Sequence, residues 1–157
     1  MKAASINEIK NELGQLSQSK LATLCLQLAK YKKDNKEFLT YLLFEAGDMQ
    51  SYIESVKAAM DEHFATINVT QLYFAKKSLR KILRIAGKHI RYTASKQAEA
   101  ELLIYFCKQL NASGIAYQNS TVLLNMYNAQ IKKINAAIEG FHEDLQYDYI
   151  KELKKLS

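Results

Sequence analysis

Metal or nucleophilic chemistry in this 157-residue chain would have to be built from three histidines, His63, His89 and His142, and two cysteines, Cys25 and Cys107. Glu139 and His142 have the Glu-x-x-His spacing by which helical bundles hold paired iron or manganese ions. That site needs a second copy of the motif and two further glutamates, and here Gly140 interrupts the helix that would carry it. The cysteines sit inside the apolar runs "LATLCLQLA" and "LLIYFCKQL", with neither metal-ligand nor disulfide-framework spacing. Both are expected to be reduced core residues. Asp61 with Glu62, and Glu99 with Glu101, are carboxylate pairs in sequence only. Adjacent helical residues point about 100° apart and residues two apart about 200°, so neither pair converges on a substrate. No glycine-rich phosphate loop or nucleophile elbow occurs. The expectation is a protein that is not an enzyme, with no catalytic residue, metal or cofactor.

The residues that do cluster are cations. The run "AKKSLRKILRIAGKHIRYT", residues 75–93, holds seven Lys or Arg, including all three arginines of the chain, and no acid. On a helical wheel Lys77, Arg80, Lys81, Arg84, Lys88 and Arg91 share an arc of about 100°, with Lys76 just outside it. The opposite side carries Leu72, Ala75, Leu79, Ile82, Leu83, Ala86 and Ile90. From Lys77 to Arg91 such a helix advances about 21 Å. Residues 63–98 contribute +8 to a chain whose net charge is +6, so the remainder carries −2. The basicity therefore belongs to one element.

Two readings of this stripe compete. A solvated polar face needs charged residues anyway, and the acids of the last helix, Glu143, Asp144, Asp148 and Glu152, can lie beside the stripe and neutralise part of it. A functional face would attract phosphates, anionic lipid head groups or acidic protein surfaces. Arginine forks suit phosphates, and Tyr73 and Tyr92, on or near the stripe, could stack on bases. No helix-turn-helix, RNA-recognition motif or zinc finger accompanies them, so sequence-specific readout is not expected. A membrane-surface role is disfavoured because the helix needs its apolar face for the core.

The elements that must position these residues are helices. Proline is absent and only five glycines punctuate the chain. Ser5 with Glu8, and Asp34 with Glu37, read as capping boxes; Ser17, Asp48 and Ser95 open further helices, Asn68 starts the basic helix 69–93, and acids open the final helix. The fold class expected is all-α: seven or eight antiparallel helices joined by short loops. They would form a compact helical bundle or a short irregular α-solenoid of helical hairpins, with residues 1–157 as a single all-helical domain. Tyr31, Tyr41, Tyr52, Tyr105, Tyr117 and Tyr127 fall at or beside apolar stripes and are expected in core or boundary packing.

The segment "LSQSKLATLCLQLAKYKKDNKEFLTYLLFE" resembles the opening of some uncharacterised bacterial all-helical proteins, a resemblance that covers about the first third of the chain and implies no function. "MKAASINEIKNEL" is no signal peptide, and no stretch approaches the ~18 apolar residues of a membrane span, so a cytoplasmic protein is expected. The leading functional expectation is a non-catalytic helical interaction or adaptor module that recognises another macromolecule, another protein first. The alternative is sequence-independent nucleic-acid binding through the basic face of helix 69–93. A second alternative is a small-ligand-binding helical bundle, which would need a sizeable closed cavity.

Overall fold

Serine and aspartate open the helices much as their spacing predicts. In the computed structural model, which describes residues 1–156, the Ser5 hydroxyl accepts from Glu8 N while the Glu8 carboxylate accepts from Ser5 N at 2.7 Å, a complete capping box. Ser17, Asp48, Ser95 and Ser120 each accept from the backbone N–H three residues on. Eight α-helices result, with no strand among the described residues: the chain is all-α. No helix among them is long and apolar enough to cross a membrane. The helices group into two compact units, Met1–Glu45 and the remainder from Ala46.

The first unit holds α1 (Ile6–Gly14), α2 (Gln18–Tyr31) and α3 (Lys33–Thr40), the last running on into a π-helical turn, Tyr41–Glu45. One extended residue, Lys32 (φ −141°, ψ 145°), separates α2 from α3. The Asn35 side-chain amide donates to Leu28 O across the bend at 2.8 Å and ties the two helices into a hairpin. This bend displaces the capping box expected at Asp34 and Glu37. The helix already starts at Lys33, Asp34 lies in its first turn, and Lys32 caps it without a side-chain bond. Tyr41 is the unit's one buried residue. Cys25, expected in a core, is exposed, as is Tyr31, because the leucine stripe of α2 is left uncovered.

The second unit holds α4 (Met49–Phe64), α5 (Leu72–Thr93), α6 (Lys96–Ala112), a 3-10 turn at Tyr117–Asn119, α7 (Thr121–Ile138) and α8 (Glu143–Lys154). Helix α6 packs against all four of the others. It is correspondingly apolar over most of its circumference: Leu102, Leu103, Ile104, Phe106, Cys107 and Leu110 are all buried. Ile53 and Met60 of α4, Leu79 and Ile82 of α5, and Leu123 and Ile134 of α7 complete the core around it. Each of these side chains contributes roughly 1.5–3 kcal/mol by leaving water. Gln130, the one buried residue among those described that is neither apolar nor aromatic, donates to Met126 O, and no buried side-chain polar atom among the described residues lacks a partner.

The basic helix begins later than position 69. The Asn68 side chain accepts from Thr70 N and Gln71 N, building a turn that delays α5 to Leu72. At its far end Ala94 takes a left-handed conformation (φ 49°, ψ 23°) before Ser95 caps α6. After α6, Gly114 turns the chain with φ 78°.

Candidate functional site

Burial of Ala75, Leu79, Ile82 and Ala86 against α4 and α6 fixes the rotation of α5 about its axis. The opposite side then faces water, and Lys77, Arg80, Lys81, Arg84 and Arg91 are all exposed on it. Lys88 is half-buried and engaged with neighbouring groups. None of the five exposed cations forms an ion pair among the described residues. Two of the acids of α8 face other basic groups. Glu152 binds Lys108 and Lys155, and Asp144 approaches His142 at 3.9 Å. The hydrogen bonds from Lys108 and Lys155 hold the Glu152 carboxyl down at about 2. The five exposed cations therefore keep their charge.

That arrangement costs the helix stability. Lys77 and Lys81, Arg80 and Arg84, and Arg84 and Lys88 are like-charged neighbours four residues apart, each such pair unfavourable by roughly 0.2–0.5 kcal/mol. No acid stands in the first turn of α5 to oppose its positive dipole end. The field of the backbone and that of the side chains add at this end of the face.

Aromatic rings mark both ends of the stripe but differ in freedom. Tyr73 is 70% exposed, lies edge-to-face with Phe74, and has the Lys76 ammonium 5.6 Å from its ring centre. Phe74, itself half out in water, was overlooked at the sequence level, although one more helical step from Tyr73 sets it beside Lys81 on the wheel. Tyr92 is half-buried and edge-to-face with His89, whose Nδ1 lies 2.6 Å from the buried Tyr52 hydroxyl. Tyr73 and Phe74 present open ring surface; Tyr92 belongs to an internal aromatic cluster.

The sites of alternative chemistry are different in kind. Glu139 ends α7 and His142 precedes α8, so the Glu-x-x-His pair is split across a turn, and no metal-ligand group forms among the described residues. Burial pushes the Cys107 thiol up to about 12, which keeps it protonated at neutral pH. A cleft of about 370 Å³ among α4, α6 and α8 is lined by Lys57, Glu101, Tyr105, Lys108, Tyr149 and Glu152. Tyr149 donates to Glu101 and Lys108 binds Glu152 within it, while Lys57 binds Glu54 and Tyr105 donates to Asp61 at 2.6 Å, both acids outside the lining. Burial first and then the Asp61 bond push the Tyr105 hydroxyl up to about 12. No protein-family model, curated protein or solved structure matches the chain.

Proposed function

We propose that this chain is a non-catalytic interaction module whose working surface is the basic face of α5, and that the face holds a nucleic-acid backbone without reading its sequence. The single observation that carries this reading is the row of five exposed cations that form no ion pair among the described residues, kept despite mutual repulsion within one helix. A solvated face needs polarity, for which mixed charges serve better; a one-sign row suits a polyanion. Lys77, Arg80, Lys81, Arg84, Lys88 and Arg91 meet phosphates, and Tyr73 with Phe74 offers bases a stacking surface at one end. A protein partner with an acidic surface is the other reading, favoured if the same residues mediate binding but nucleic acid does not compete.

The test is fluorescence anisotropy with a labelled single strand and a labelled duplex over a range of salt. If all six cations neutralise duplex phosphates, log affinity should fall against log salt with a slope near about −5. Arg80→Glu with Arg84→Glu should weaken binding and flatten that slope. Wild type that binds neither strand nor duplex at low salt would exclude nucleic acid.

A further inference from the structure

Residues 1–45 carry more apolar surface than they can cover. Of the eighteen large apolar side chains exposed among the described residues, twelve lie in this unit. Units this short rarely sustain a core of their own, and association is one of the few ways they gain stability. Two of its surfaces are complementary. Ile6, Ile9 and Leu13 form one stripe on α1, 80%, 43% and 38% exposed, and within the unit α1 packs closely on neither α2 nor α3. Between α2 and α3 runs an apolar groove of about 270 Å³, with Cys25 and Leu28 on one wall and Leu39 and Leu42 on the other.

We propose that α1 of a second copy of this chain seats its Ile6–Ile9–Leu13 stripe in the α2–α3 groove, and that the exchange is reciprocal. The dimensions agree. Ile6 to Leu13 and Asn35 to Leu42 are both seven residues apart, about 10 Å along a helix. The charges agree as well. Helix α1 carries two acids to one lysine, and the hairpin from Gln18 to Glu45 carries five lysines to three acids. The area is sufficient too. Seven half-exposed large side chains in each of two copies remove on the order of 1,000 Å² from water, the size at which specific interfaces begin. A two-fold pairing uses both stripes and both grooves at once, so it closes at two copies.

Sedimentation of the full chain across the micromolar range tests this, combined with alkylation of Cys25 by iodoacetamide. Cys107 is buried, so Cys25 alone reports the groove. The expected result is a dimer that Ile9→Glu and Leu28→Glu each convert to monomer, with Cys25 reacting several-fold faster in Ile9→Glu than in wild type. Both positions are exposed, and circular dichroism identifies a variant that loses helix; the other then carries the test. A monomer with freely reacting Cys25 overturns the proposal. So does a monomer whose Cys25 is protected at every dilution, which places a cover from the same chain over the groove. A dimer indifferent to Ile9→Glu overturns it as well, by placing the contact elsewhere.

Discussion

The buried hydroxyl of Tyr52 on α4 lies 2.6 Å from Nδ1 of His89 on α5, one polar link across the interface that sets the rotation of the basic helix. Tyr52 is only 6% exposed, and the imidazole gives its hydroxyl a hydrogen-bond partner inside the fold. Replacing Tyr52 with Phe keeps the ring and removes this one link. A loss of about 1 kcal/mol in urea denaturation is expected, with helix content unchanged. A variant as stable as wild type would mean that water satisfies His89 equally well.

Arg84 faces Arg80 and Lys88 one turn away on either side and Lys81 three residues back. Arg84→Glu turns those repulsions into attractions, so thermal unfolding at low salt should rise, by about 1 kcal/mol in free energy. The gain should shrink in concentrated salt, where exposed charges are screened. The same substitution should weaken polyanion binding. A variant stabilised and impaired together is the signature of a face kept for binding; one that is neither stabilised nor impaired marks an ordinary solvated surface.

Ala94 is the only non-glycine residue among those described with a positive φ, and its side chain is exposed. The left-handed region costs an L-residue roughly 1–2 kcal/mol, which glycine avoids at the expense of a more flexible unfolded chain. Ala94→Gly should therefore stabilise the protein by about 0.5–1 kcal/mol in chemical denaturation. Ala94→Val should destabilise it.

Glu152 sets the acid limit of the α6–α8 contact. Its folded carboxyl titrates at about 2 against an ordinary 4.5, so the stabilisation it provides is complete above about 4.5 and disappears as pH falls toward 2. The side chain is about a third exposed, which holds the contribution to roughly 1 kcal/mol. Glu152→Gln should cost about that much at pH 7 and nothing near pH 2. A constant difference across that range would assign the effect to packing rather than charge.

Much of this molecule is legible in its residues, and the limits have physical causes. Ser5 with Glu8 and the stripe Ala75, Leu79, Ile82 and Ala86 are local patterns, and the helices they specify form where the patterns place them. Asp34 misleads because a single extended residue, Lys32, starts the next helix two positions early, and an Asn35 bond across the bend outweighs the capping preference. Cys25 misleads for another reason. A helical stripe says which side is apolar, while its burial depends on what another element brings to it. The cationic stripe was fully legible as a set of residues. That its five exposed members form no ion pair among the described residues was not, since that depends in part on α8 sending Glu152 to Lys108.

The π-helical turn Tyr41–Glu45 holds one residue more than an α-helical turn would need. An extra residue of this kind is an insertion absorbed without breaking the helix, and it resets the helical phase of every position after it. Removing Leu43 should restore continuous α-helix through to Glu45 and swing Phe44 about 100° around the axis. Length variation in kindred sequences is expected to gather at this turn, where a single-residue gap leaves the chain helical but presents a different set of side chains.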